Sequence, residues 1–149
     1  MSVRSDDVWV LVIDATRARI LRGIGETGQP LMPELVLKAE SRHLRDIMSD
    51  SGQRNARRRE PRKEEATDPL LEDERQFLRG VVAVLESHRM ADEIHRLAVF
   101  GDLRSLAMLH AILPSTLGRL LLAEMPLDLV NVSPQDLPHV VRDHLASRT

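Results

Sequence analysis

Residues 8–13, Val-Trp-Val-Leu-Val-Ile, form an unbroken apolar run that stops at Asp14, and four of the six side chains are β-branched. Such side chains are stiff at χ1 and pack well on a pleated surface, so the run favours a strand. Successive strand residues point to opposite faces, and neither alternate here is polar. Both faces must therefore be covered, which makes this a central strand of a sheet with a layer on each side. The run is expected to lie at the heart of the sheet.

The remaining elements fit around that strand. Ala18 to Gly23 reads as a second strand after a short Asp14-Ala-Thr-Arg17 turn. Gly25 to Pro30 has hairpin-loop composition and Leu31 to Ala39 follows as a third strand, completing an antiparallel meander. Asp68-Pro69 is a helix-start signal, and Glu72, Asp73 and Glu74 place negative charge where the helix dipole favours it. Phe77, Leu78, Val81, Val82 and Leu85 then fall on one face of a helix running to about Met90. Leu97 to Phe100 reads as a buried strand, ending at Gly101-Asp102. A helix is expected over 103–113 with Leu103, Leu106, Ala107 and His110 on one stripe, stopped by Pro114. Leu117 to Leu122 fits either a short helix or the entry to a last strand, placed at 121–126. Ser133-Pro134-Gln135-Asp136 resembles a capping box for a final helix carrying Leu137, Val140, Val141 and Leu145, with Pro138 expected to push its start a turn later. The sum is a single domain over 1–149: an α/β sandwich with a mixed sheet of about five strands and three main helices.

Between the third strand and the first helix no periodicity is sustained. From Arg42 to Lys63 eight basic residues (42, 45, 54, 57, 58, 59, 62, 63) face three acids (46, 50, 60), a local balance of +5 in a chain of net charge −2. A basic loop over 41–67 is expected to reach for an anionic partner, with RNA phosphate the first candidate through Arg42, Arg45, Arg54, Arg57, Arg58, Arg59, Arg62 and Lys63. The structural alternative is a solvated loop neutralised by the acids of 64–74. With two Phe, one Trp and no Tyr, a base-stacking platform is not expected.

Other chemistry is constrained by what the composition supplies. The absence of cysteine excludes disulfides and thiolate-bound metal. The polar first seven residues and the shortness of the apolar run imply neither signal peptide nor membrane span, so a cytoplasmic location is expected. Asp14 and Asp102 stand at expected strand ends, where α/β proteins gather ligands. A magnesium nuclease would use them with Glu124 or Asp128, whereas a plain strand-end Asp shapes a turn or caps a helix. The six histidines lack zinc-site spacing; His43, between Arg42 and Arg45, is kept as a loop-site candidate. No metal or cofactor is expected.

Certain residues, in their order, resemble the bacterial host-attachment protein family. They are Asp14 with Ala18-Arg19-Ile20, Arg42 to Asp46, Asp50 to Arg54, Phe77, and Glu124-Met-Pro126-Leu-Asp128-Leu129 with the closing helix to Leu145. Where the family usually shows an Ala-Pro-Pro turn and a Leu-Gly-x-Leu-Arg helix start, this chain has Gly101-Asp102-Leu103 and Leu106-Ala107-Met108-Leu109-His110. The family is similar to the central domain of archaeal and eukaryotic class-one release factors. That resemblance implies a ribonuclease-H-like fold and a loop whose Gly-Gly-Gln tip promotes peptidyl-tRNA hydrolysis on the ribosome. Ser51-Gly52-Gln53 stand there in this chain, making Gly52 and Gln53 the implied catalytic residues. Small residues would let the backbone approach the ester, an N–H would meet the developing oxyanion, and Gln53 would orient water. An alternative alignment uses only Asp50 and Arg54, as ends of the family's Asp-x-x-Gly-Arg loop, and gives Gln53 no role. The expected function is thus a release- or rescue-like factor on ribosomal or transfer RNA, with turnover left open. The alternative is a non-enzymatic module whose basic loop binds an acidic protein or a second copy of the chain.

Overall fold

The computed structural model describes residues 8–24, 32–39 and 69–147. The expected basic loop 41–67 lies outside them, and with it Arg42, His43, Arg45, Asp50, Gly52, Gln53, Arg54, Arg57, Arg58, Arg59, Arg62 and Lys63.

Five strands, β1 (Val8–Ile13), β2 (Arg17–Leu21), β3 (Leu35–Lys38), β4 (Arg96–Gly101) and β5 (Leu121–Met125), form one sheet in the order β3-β2-β1-β4-β5. The first three are antiparallel neighbours, and β4 and β5 extend the sheet in parallel from β1. Among the described residues four helices follow: α1 (Pro69–Met90), α2 (Leu103–Ile112), the single turn α3 (Ser115–Gly118) and α4 (Leu137–Ala146).

All six residues of β1 are buried, as an apolar run with no polar alternate requires. Trp9, Leu11 and Ile13 face one layer with Leu78, Val81 and Leu85 of α1, Leu106 and Leu109 of α2, and Leu117 of α3. Val8, Val10 and Val12 face the other, with Leu137 and Val141 of α4 and the preceding Leu129 and Val130. Helix α1 ends where Asp92 turns left-handed (φ 65°), so that Glu93 N–H reaches the His88 carbonyl (2.9 Å) and Asp92 N–H that of Arg89 (2.8 Å).

Several expectations shift. Strand β2 stops at Leu21 rather than Gly23, whose φ of 99° no strand accommodates. The apolar stripe of α2 is Ser105, Leu106 and Leu109, not Leu103, Ala107 and His110: Leu103 is 73% exposed and His110 points outward to Glu124. The helix starts after Asp102 as expected, and the joining of Leu106 and Leu109 to the cluster of Leu78, Val81, Leu97 and Val99 decides which face turns inward. Helix α4 starts at Leu137, a turn after Ser133 as expected, with Pro138 in its first turn, where the missing N–H is not needed.

Strands β1 and β4 touch most closely at Ile13 and Gly101. A Cβ on Gly101 would lie 2.8 Å from Ile13 Cγ1 and 3.0 Å from the Ile13 carbonyl oxygen, while one on Gly80 of α1 would meet nothing within 4 Å. Gly101→Ala is therefore expected to cost about 1–3 kcal/mol through overpacking. Gly80→Ala should instead add about 0.5–1 kcal/mol from helix propensity alone. Urea denaturation of the two variants beside wild type checks both signs.

Candidate functional site

The parallel pairing of β1 and β4 brings the two strand-end aspartates to the same end of the sheet, at the carboxyl ends of adjacent strands, since Ile13 pairs with Gly101. Each is occupied by backbone. Asp14 Oδ1 accepts from the N–H of Thr16 (2.9 Å) and of Arg17 (2.8 Å), an Asx turn that sets the β1–β2 reversal. Asp102 Oδ2 accepts from Ser105 N–H (3.2 Å) at the start of α2. Partial burial pushes the Asp102 carboxyl up, but its hydrogen bonds with Ser105 outweigh this and leave it below the usual aspartate range. Among the described residues no three His, Asp or Glu side chains converge as a metal site.

The more built arrangement lies on the open half of the sheet. Helix α4 and residues 129–130 cover the second face over β1, β4 and β5, while on β2 and β3 that face carries Arg17, Arg19 and Leu21 beside Val36 and Lys38. These form the floor of a cleft of about 600 Å3, walled by the strap 130–134 that leads to α4. Arg19 fastens floor to wall. Only 6% exposed, it forks onto Glu34 (Nε to Oε1 2.6 Å, Nη2 to Oε2 2.8 Å), and its Nη1 donates to the carbonyls of Val130 (3.0 Å) and Val132 (2.5 Å). Arg17 adds a second tie, from Nη2 to Asn131 Oδ1 at 2.5 Å. Strand β2, the residue ahead of β3 and a distant strap are thus joined by guanidinium groups in addition to the packing of Val130 with Leu21.

The profile of a family described as "Protein required for attachment to host cells" matches residues 9–141. The chain belongs to that family. No curated protein matches it. Of the candidate residues in this host-attachment chain, the described structure holds Asp14, Arg19, Asp102, Glu124 and Asp128, and they form no common site: Asp14 and Asp102 shape the β1 and β4 ends, Arg19 holds the cleft, Glu124 meets His110 and Asp128 accepts from Val130 N–H. Sequence reasoning missed Arg17, Lys38, Glu34 and Asn131. The alternation Arg17-Ala18-Arg19-Ile20 was the available signal, because a period of two places both arginines on one face. Among the described residues no helix is long and apolar enough to cross a membrane.

Arg19→Met should cost about 3–5 kcal/mol, because it leaves Glu34 and two carbonyls without their buried partner. The double variant Arg19→Met with Glu34→Leu should recover a large part of that loss, and urea midpoints of the three proteins measure it. At α2, Asp102→Ala should cost about 0.5–2 kcal/mol while Asp102→Asn stays near wild type, as expected of a cap. Since the folded carboxyl lies below its ordinary value, the charge-dependent part of the cap is present above the usual aspartate range and is lost as pH falls beneath it. The gap between wild type and Asp102→Asn in acid and neutral melts reads this directly.

Proposed function

We propose that this host-attachment family protein is an RNA-binding factor of the translation machinery. In this reading the basic segment 41–67 docks on ribosomal or transfer RNA through Arg42, Arg45, Arg54, Arg57, Arg58, Arg59, Arg62 and Lys63. The domain is its rigid mount. Where the described chain leaves β3, Ala39 N–H bonds the Thr16 carbonyl (2.8 Å), and where it resumes, α1 packs Leu78, Val81 and Leu85 into the core. The strand order 3-2-1-4-5 supports the ribonuclease-H-like class, and with it the likeness to the release-factor central domain. Gly52 and Gln53 would stand at the tip, where release factors promote ester hydrolysis. The cytoplasm is the compartment this implies.

One observation carries the reading over a self-neutralised loop. Two acids at the start of α1 are engaged on helix cations: Glu72 pairs with Arg75 (2.9 Å) and lies 3.9 Å from Arg79, and Glu74 pairs with Arg104 of α2 (3.0 Å). Such pairs are individually weak, yet they take these two carboxylates from the set that could neutralise the arginine run, which favours an anionic partner for it.

Co-sedimentation with ribosomes at low and high salt, beside the Arg57→Ala, Arg58→Ala, Arg59→Ala triple variant, tests it. Association should fall steeply with salt and be reduced at least tenfold in the variant. A wild type that stays in the supernatant at low salt would sink the RNA reading and leave a protein partner, or a second copy of this chain, as the target of the basic segment. A Gln53→Ala protein that binds ribosomes yet loses peptidyl-tRNA hydrolysis would extend the reading to catalysis.

A further inference from the structure

The open cleft on β2 and β3 has a feature that fold stability does not explain. Arg17 and Lys38 are direct partners in the antiparallel register, so their side chains project from the same face as neighbours. Like charges so placed repel. Arg17 has a neutral partner in Asn131, and among the described residues no carboxylate lies within ion-pair reach of Lys38. The acid in the cleft lining is Glu34, and Arg19 occupies both its oxygens. The cleft therefore presents two cations without a compensating anion at one end of its floor. Beside them the floor is apolar: Val36 is 52% exposed in mid-strand, with Val132 and Pro134 on the facing wall and buried Leu21 and Val130 beneath.

We propose that this cleft binds a small amphiphilic anion, with one carboxylate or phosphate group between Arg17 and Lys38 and an apolar body lying on Val36 against Val132. A volume of about 600 Å3 is in the range of small-molecule sites. A nucleic-acid backbone would ask for cations strung along a ridge, whereas here two cations flank an apolar hollow. None of the residues that form the site belongs to the basic segment 41–67.

Amide chemical-shift titration of the 15N-labelled full chain tests the proposal, with decanoate, decyl phosphate and neutral decanol as probes below their aggregation concentrations. Saturable shifts should centre on residues 17, 36, 38, 131 and 132. Both anions, or the one whose head group fits, should bind at least tenfold more tightly than decanol, and their order identifies the acid group. Lys38→Gln should lower anion affinity about tenfold or more. Lys38→Glu should abolish binding while raising the Tm by about 1–4 °C, because it turns the repulsive cross-strand pair into an attractive one. The Arg57, Arg58, Arg59 triple Ala variant should bind as wild type does. Equal affinity for decanol and the anions, shifts centred elsewhere, no saturation, or undiminished anion binding by Lys38→Gln would each overturn the proposal.

Discussion

The grip of Arg19 on Glu34 and on the carbonyls of residues 130 and 132 is what the open half of the molecule depends on. A buried arginine is costly unless its charge is met and its donors are used. Here four of the five N–H donors have partners, two on a carboxylate and two on backbone carbonyls. The exchange works both ways. The strap ahead of α4 contributes Val130 to the core, and its carbonyls need donors that no neighbouring strand supplies. A lysine could carry the charge but not the planar fork that reaches both at once.

The two faces of the sheet are finished differently. One is roofed by α1, α2 and α3 across its width, so β2 and β3 bury Ala18, Ile20, Leu35 and Leu37 there. Among the described residues the other is covered by α4 with residues 129–130, and this cover ends near Leu21. Beyond that point the floor can be neither fully apolar, which would expose a large patch to water, nor polar without losing its grip on the strap. Arginines with long apolar stems and charged heads meet both needs. Elsewhere Glu86 of α1 ties to Thr116 of α3, and that hydroxyl, with Arg89 beside it, holds the Glu86 carboxyl below its ordinary value.

Much of this architecture is legible in the sequence because burial on two faces leaves a strong pattern. The run 8–13 declares a central strand, the spacing of Leu78, Val81 and Leu85 declares α1, and Asp102 marks a helix start. Legibility fails where tertiary context decides. The stripe of α2 is set by the core it joins, since Leu103, Leu106 and Ala107 offer a stripe as apolar in sequence as the Leu106 and Leu109 that are buried. The end of β2 depends on one glycine torsion. The cleft was hardest to see: Arg19 stood out as an arginine in an apolar strand, but its partners lie 15 and more than 110 residues away along the chain, and no local pattern announces such a meeting. Likewise Asp14 and Asp102 carry the residue type and position of a metal site, and only their hydrogen bonds reveal backbone ligands instead.

The mixed sheet also sets the order in which the chain assembles. The antiparallel pairings of β1, β2 and β3 join near neighbours and can close soon after those strands are made, whereas β1 pairs with β4, from Val8 with Arg96 to Ile13 with Gly101, across more than half of the chain. Until then the most hydrophobic strand keeps one edge unpaired while the ribosome is still adding α1 and β4. That edge can template pairing with another nascent chain, so the yield of native protein is governed by how quickly the second half is synthesised and by what shields the first half meanwhile.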